Sequence, residues 1–277
     1  MNPGSRSWPA TDVVTQLRRL WVVPPIVFAL FFVLPLVGLF VRALTDGDVG
    51  SALGSGRTWD ALWLSIFTAT FSLGISLAFG TPLAYMLARS RSKSMRLAAS
   101  LLDLPLVLPP AVAGIALLTM FGRRGYAGEP LEGAGIALSF TTAGVIAAQV
   151  FVSAPYYVRT AYAGFVAADP RFEGVAYTLG LSRWRTFRRV MLPLVWPALA
   201  GGAVLCWARA LGELGATLLF AGSLPGRTQT MPLAILSAFE SSAGLAGAVS
   251  IAVILVAVAL ALLVVLHRFT GSRGAYQ

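Results

Sequence analysis

Few residues in this sequence could carry out covalent or metal chemistry. Cys206 is the only cysteine and His267 the only histidine, which excludes an internal disulfide, a cysteine-rich metal site and the usual zinc ligand sets. Lys93 is the only lysine, and its surroundings, SRSKS, lack the glycines of a phosphate-binding loop. No nucleophile–base pair, metal cluster or pair of carboxylates at matched depth supports an enzyme. We therefore expect no catalytic residue, metal or cofactor in this chain, and no ATP bound by such a loop.

One arginine and one glutamate lie four residues apart inside a long apolar run. Arg209 and Glu213 would share a helical face, and ionisable residues in such a run usually mark a pathway or a buried pair. Two interpretations stay open: an ion pair that neutralises itself, or an anion route beside Arg209 in which Glu213 limits how tightly the anion is held. Thr217, Pro109 and Pro110 are further candidates for the lining of a route. Hydroxyls in spans more often bond their own helix, and prolines also bend helices for packing alone.

The elements that must position these residues are membrane spans. The chain has 277 residues, of which 57% are hydrophobic and 12% charged, about half the charged share of soluble domains (~25%). The net charge of +10 could suggest nucleic acid, but the arginines lie between apolar blocks, so membrane topology explains them better. The sequence predicts an all-α, polytopic membrane protein with six transmembrane helices. The six apolar runs are Leu20–Val41, Ala61–Ala88, Ala98–Phe121, Phe140–Ala163, Leu194–Ala221 and Leu245–Leu266.

The basic residues predict the orientation of these spans. With a cytoplasmic N-terminus, fifteen of the 21 basic residues fall on the cytoplasmic side, five fall on the other side, and Arg209 lies within a span. The positive-inside rule then places both termini in the cytoplasm. The first apolar run lacks the short core and small-residue cleavage site of a signal peptide, so we expect a retained span.

The cytoplasmic loop 164–193 is longer than a simple connection needs and contains helix start and stop signals. Asp169 is a predicted N-cap, with Pro170 at the first helical position and Glu173 in the early turns. Gly180 stands where a left-handed residue would end this helix. A single apolar face is predicted on it from Phe172, Val175, Ala176 and Leu179.

A second amphipathic helix is predicted after the glycine. Ser182 can cap it, Trp184 and Phe187 belong to its apolar stripe, Arg185 to its basic one, and Pro193 is expected to stop it at the membrane. An interfacial elbow on anionic lipid would explain this second helix. It would leave the apolar face of the first helix uncovered, whereas an amphipathic helix laid into a groove of another protein is a familiar binding mode.

The loop resembles the EAA motif of binding-protein-dependent ABC importer permeases. In that motif a Glu-Ala-Ala segment precedes Gly, nine residues, an aliphatic residue, any residue and Leu-Pro. Here Gly180 is followed by nine residues and then by Val190-Met191-Leu192-Pro193. The first half, EGVAYTLG, departs from the motif because Glu173 comes one residue early, a shift also seen in the molybdate branch. The resemblance implies that the first loop helix docks into a cleft of a separate ATPase subunit, which holds ATP and Mg²⁺.

Two further stretches resemble the molybdate branch of these permeases. They are ARALGELGATLLFAGSLPGRTQTMPLAI and LPLVLPPAVAG, and the similarity covers about 59–268. It implies the type I ABC importer permease fold and a homodimer, with an extracytoplasmic oxyanion-binding protein, ATPase subunits and membrane lipid as partners, in a bacterial or archaeal cell (inner) membrane. The predicted organisation is a tail, first span and external loop (1–58), a permease core (59–268) and a cytoplasmic tail (269–277).

The expected function is that of the membrane subunit of an ATP-driven molybdate importer that works by alternating access. Tungstate, sulfate or thiosulfate are alternative cargoes. A stand-alone secondary carrier, proton-coupled through Glu213 or Asp103, is an alternative of another class. The loop argues against such a carrier, as does the absence of two related half-chains.

Overall fold

The fold is built entirely from helices in the part of the chain that the computed structural model describes, residues 22–90 and 92–271. This confirms the predicted all-α class. The helices are, in order, α1 Val23–Thr45, α2 Val49–Gly54, α3 Gly56–Arg89, α4 Lys93–Leu102, α5 Leu104–Val107, α6 Pro110–Phe121, α7 Gly128–Gly133, α8 Thr142–Ala167, α9 Arg171–Thr178, α10 Arg183–Leu211, α11 Gly215–Ala221, α12 Met231–Glu240 and α13 Gly244–Gly271.

Four of these helices (α1, α3, α10 and α13) are long and apolar enough to cross a membrane. Helices α4–α5 and α6 together would make a fifth span, bent by 118° at its break. Helix α8 has 26 residues, about 39 Å at 1.5 Å per residue, but it is less apolar. The structure therefore supports a multi-pass membrane protein, and the count of six spans stays a prediction.

The predicted third span is broken by its prolines. Leu108 and Pro109 have ψ angles of 134° and 137°, so the backbone is extended between α5 and α6. A residue before proline is driven out of the helical region, and both residues precede one.

The predicted fifth span differs at both ends. It ends at Leu211 and restarts as α11, because Gly212 to Leu214 do not continue the helix. At its start, Pro193 does not stop the second loop helix: α10 runs from Arg183 through a π-helical turn at Phe187–Met191 into the span. Proline lacks the amide of a regular turn and its ring crowds the preceding carbonyls, and here the helix accommodates it by widening.

Helix α8 lies at the centre of the described molecule and packs against α3 and α10. Tyr157 and Phe165 are buried in the main apolar core. Small residues let the backbones approach: a Cβ on Gly202 would lie 3.2 Å from Cδ2 of Tyr157, and one on Gly164 only 2.5 Å from Cβ of Ala198. This is the close helix approach expected from small-residue runs in membrane proteins.

Helix α1 lies outside this core and buries only Ala43. The predicted boundary at 58/59 falls within α3, and α13 continues to Gly271, into the predicted tail 269–277. The orientation of the N-terminus concerns residues 1–21, which lie outside the described residues, as do 272–277.

Candidate functional site

The loop between α8 and α10 has the predicted helix–glycine–helix form. Gly180 has φ +80°, its amide donates to the carbonyl of Tyr177 (3.0 Å), and the amide of Leu181 donates to that of Ala176 (3.0 Å). These two hydrogen bonds form the Schellman arrangement that closes a helix on a left-handed residue. The amide of Arg185 donates to Oγ of Ser182 (3.4 Å), which caps the next helix as predicted.

Helix α9 starts one residue later than predicted, and Asp169 binds its first residue. The helix begins at Arg171 rather than Pro170. The backbone amide of Arg171 donates to Oδ1 of Asp169 (2.8 Å) and its guanidinium pairs with Oδ2 (2.7 Å). These bonds favour the charged carboxylate and hold the pKa of Asp169 below its usual value.

Helix α9 presents apolar side chains on its outer side. Phe172, Val175 and Leu179 are 52%, 57% and 74% exposed, respectively. Ala176, predicted to share their face, instead packs inward and is buried beside Glu173. The open apolar face therefore consists of Phe172, Val175 and Leu179, which we call the α9 face.

The inner side of α9 is fixed by a buried carboxylate. Glu173 accepts a hydrogen bond at Oε2 from the hydroxyl of Tyr85 (2.8 Å) and one at Oε1 from Nε of Arg89 (2.6 Å). The same guanidinium donates from Nη1 to the carbonyl of Phe165 (2.9 Å) and from Nη2 to that of Ala168 (3.3 Å). We call these groups the Glu173 cluster. Sequence reasoning missed Tyr85 and Arg89, because no local pattern connects the end of α3 to a glutamate 84 residues after Arg89.

Aromatic rings join the second loop helix to the spans. The ring of Tyr85 lies 5.3 Å from that of Phe165 and 4.9 Å from that of Phe187, and Trp184 stacks on Phe187 at 5.9 Å. The side chain of Arg185 is exposed, as is Pro193. Aromatic packing thus anchors the second loop helix, while its Arg185 side chain remains exposed.

A second constellation lies where α10 ends. Nη2 of Arg209 is 2.6 Å from Oε2 of Glu213, and Glu213 is 1% exposed. Oε1 of Glu213 accepts a hydrogen bond from the amide of Ala216 (2.8 Å) in the first turn of α11. The carboxylate therefore closes the gap between the two helices as well as pairing with the arginine.

The proline break and the α10–α11 break lie side by side. A Cβ added to Gly215 would be 2.8 Å from Cβ of Pro110, and one added to Gly114 would be 2.9 Å from Cβ of Leu219. Thr217 is fully buried, and its hydroxyl has no hydrogen-bond partner among the described residues. The structure thus gathers the candidates Pro109, Pro110, Glu213 and Thr217 around two adjacent broken helices, with Arg209 one turn before the second break.

The chain resembles known transport proteins over most of its length. The family described as "Binding-protein-dependent transport system inner membrane component" matches residues 80–273. The chain belongs to this family. It is therefore a permease of an ABC importer, a multi-pass transporter subunit and not an enzyme.

Two relatives and one solved structure illustrate the similarity. The "Molybdenum transport system permease protein ModB" of Mycobacterium tuberculosis is 44% identical over 221 residues, 80% of this chain and 83% of the relative. The "Molybdate/tungstate transport system permease protein WtpB" of Thermococcus kodakarensis is 35% identical over 246 residues, 88% of this chain and 92% of the relative. A chain of a bacterial alginate ABC transporter crystallised with its periplasmic protein superposes with TM-score 0.77 at 17% identity, covering 96% of this chain and 97% of that one. This likeness confirms the ABC importer permease fold.

Proposed function

We propose that this chain is the membrane-spanning permease subunit of an ATP-driven, binding-protein-dependent molybdate importer. The observation that carries the proposal is the α9 face, three exposed apolar side chains on a short helix whose other side is anchored to the spans. A relative that is 44% identical to this chain is named for molybdenum transport. Two copies of the chain form the translocation unit in this proposal, as the resemblance to the molybdate branch implies.

The α9 face docks into a groove of a separate ATPase subunit. Fully burying a large apolar side chain contributes about 1.5–3 kcal/mol, so Phe172, Val175 and Leu179, each more than half exposed, would stabilise such a contact. ATP and Mg²⁺ are bound by that partner. Arg185, exposed five residues after the glycine joint, would add a positive charge to the docking loop.

The oxyanion passes near the two broken helices in this proposal. Arg209 is a quarter exposed and supplies positive charge, while Glu213 compensates most of it and so keeps an anion from binding tightly. The break at Pro109 and Pro110 and the unpartnered, buried hydroxyl of Thr217 place polar groups at this double break. Irregular backbone at membrane depth is found where it is buried in protein or lines a cavity. Selectivity resides in the extracytoplasmic binding protein, and ATP-driven alternating access moves the released ion.

Reconstitution tests this function. The chain is purified with the ATPase and binding protein that accompany it in its native host, inserted into liposomes and supplied with molybdate, tungstate or sulfate. We expect ATP-dependent uptake with molybdate preferred. Transport by the chain alone would overturn the proposal in favour of a secondary carrier, and preferred uptake of sulfate would overturn the cargo.

Tungstate is the second candidate cargo. The archaeal relative, aligned over 88% of this chain, is named for both oxyanions. Competition between the two ions for uptake separates them: equal inhibition by tungstate and molybdate would assign both.

A further inference from the structure

The carboxylate of Glu173 is held by the chain's own α3 and not directed toward solvent. We infer that Arg89, assisted by Tyr85, is a positioning residue that joins α9 to α3 so that the two move together. This inference rests on the proposed function, because it states how docking of an ATPase on the α9 face reaches the membrane spans.

One guanidinium connects three elements of the fold. Arg89 is the last residue of α3, and it donates to Glu173 on α9 and to the carbonyls of Phe165 and Ala168 at the end of α8. The last carbonyls of a helix have no partner within it, so the arginine satisfies groups that would otherwise be unpaired. The fixed fork of the guanidinium makes the three distances depend on one another.

Both oxygens of Glu173 are occupied within this subunit. Oε1 faces Arg89 and Oε2 faces Tyr85, and the Arg89 and Glu173 side chains are 21% and 11% exposed. Separating a buried pair leaves an uncompensated charge, which is strongly unfavourable. A displacement of α9 by a bound ATPase therefore displaces the inner end of α3 rather than opening the gap between them.

Helix α3 carries such a displacement across the molecule. Further along it, Oγ of Ser72 donates to Oε1 of Gln149 on α8 (3.1 Å), and Oγ of Ser65 accepts from the amide of Met231 at the start of α12 (2.7 Å). Ser65 and Arg89 are separated by about 36 Å along a helix rising 1.5 Å per residue. The α9 face is thus connected through the Glu173 cluster to the opposite end of the fold.

The competing explanation is that Glu173 serves the ATPase directly. A carboxylate that turned outward to a cation on the partner would be needed for assembly of the complex. A carboxylate that positions α9 on α3 would be needed for coupling after assembly. Assembly and coupling can be measured on the same preparation.

The test uses the full complex of this chain, its ATPase and its binding protein in liposomes. Glu173→Gln, Arg89→Gln, Arg89→Lys and Tyr85→Phe are compared with the wild type for ATPase co-purification, and for ATP hydrolysis with and without loaded binding protein. We expect every variant to retain the ATPase. We expect Glu173→Gln and Arg89→Gln to lower the stimulation of hydrolysis about fivefold or more, within the range of typical coupling between sites.

The conservative variants test coupling separately from folding, because they should change the stimulation of ATP hydrolysis while the complex stays assembled. Arg89→Lys keeps the charge beside Glu173 but loses the fork to the two carbonyls, so we expect intermediate stimulation. Tyr85→Phe keeps the ring packing and removes one hydrogen bond, so we expect the smallest loss. Arg159→Gln is the matched control, because it breaks the Arg159–Asp103 pair (3.3 Å), in which the arginine is largely exposed, without touching α9.

The outcomes distinguish this inference from the proposed function. If the wild type shows no stimulation by loaded binding protein, the proposed function fails. If the wild type is stimulated and Glu173→Gln is stimulated equally, or if Glu173→Gln loses the ATPase, the positioning role is wrong. Should Arg89→Gln not yield a stable complex, the order of Arg89→Lys and Tyr85→Phe decides: stimulation equal to the wild type in both would overturn the inference.

Discussion

The carboxylate of Glu213 meets both helices at the point where α10 ends and α11 begins. It pairs with Arg209 one turn earlier and caps the first turn of α11 through the amide of Ala216. A residue with an ion pair and a capping hydrogen bond is part of the local fold whatever else it does. An anion route beside Arg209 would therefore use a charge already balanced by its neighbour.

Two substitutions of Glu213 should destabilise the permease to different extents. Glu213→Gln removes the charge that balances Arg209 but keeps an oxygen for the amide of Ala216. Leaving one charge of a buried ion pair without its partner costs about 3–5 kcal/mol, and the 26% exposure of the Arg209 side chain places the loss below that range. Glu213→Ala also removes the cap, so its thermal melting temperature should be lower still.

Melting curves of the purified complex check this order. Glu132→Gln is the control, because its pair with Arg123 (3.5 Å) is exposed and should contribute little. Melting temperatures equal to the wild type in both Glu213 variants would contradict a structural pair and leave the anion route as the role of these residues.

At the scale of elements, α9 is a short helix with one anchored side and one open side. Eight residues are too few to be stable alone in water. Its stability comes from Asp169 at the start, the Glu173 cluster on the inner side and Gly180 at the end. The α9 face leaves more than half of each of its three side chains exposed, which is why we assign it to a partner.

A charge placed on the α9 face should weaken binding of the ATPase. Leu179→Asp replaces the most exposed residue of the face with a charge, and losing about 1.5–3 kcal/mol of burial corresponds to roughly a tenfold to hundredfold weaker affinity. Co-purification with titrated ATPase measures the effect. Gly174→Asp, which adds the same charge at an exposed position away from that face, should bind normally. Equal loss in both variants would contradict a specific docking face.

The glycine joint should tolerate side-chain volume but not a change of backbone conformation. A Cβ at Gly180 meets nothing within 4 Å, while its φ of +80° is one that side chains disfavour. Asparagine tolerates this region better than other residues of its size, so Gly180→Asn should keep more ATP-dependent uptake than Gly180→Leu. Uptake that is equally impaired in the two variants would indicate that volume, and not conformation, matters there.

At the scale of the whole molecule, the orientation of the spans follows from the positive charges. Arg185 lies in the loop assigned to the cytoplasm, and Arg124 lies in a loop on the opposite side. Both side chains are exposed. The α9 face can meet a cytoplasmic ATPase only if this assignment holds.

Single cysteines report the orientation directly. Arg124→Cys and Arg185→Cys are each made in a Cys206→Ala background and treated with a membrane-impermeant maleimide in intact and permeabilised cells. We expect Arg124→Cys to be labelled from outside and Arg185→Cys only after permeabilisation, with Cys206→Ala alone as the unlabelled control. The reverse pattern would contradict the orientation and the docking proposal with it.

The sequence by itself determined the helical class, most span positions, the helix–glycine–helix loop and the family. These depend on local signals: apolar runs, caps, a left-handed glycine and a motif of fixed spacing. The tertiary structure alone decided where helices break, that Pro193 is accommodated by a π turn, that Ala176 faces inward, and that Glu173 binds Tyr85 and Arg89. The proline break and the π turn depend on prolines nearby in the chain, whereas the burial of Ala176 and the partners of Glu173 depend on neighbours far away in it. A hydrogen bond between residues 84 apart leaves no periodic trace in either segment, because only packing of α3, α8 and α9 brings the two ends together.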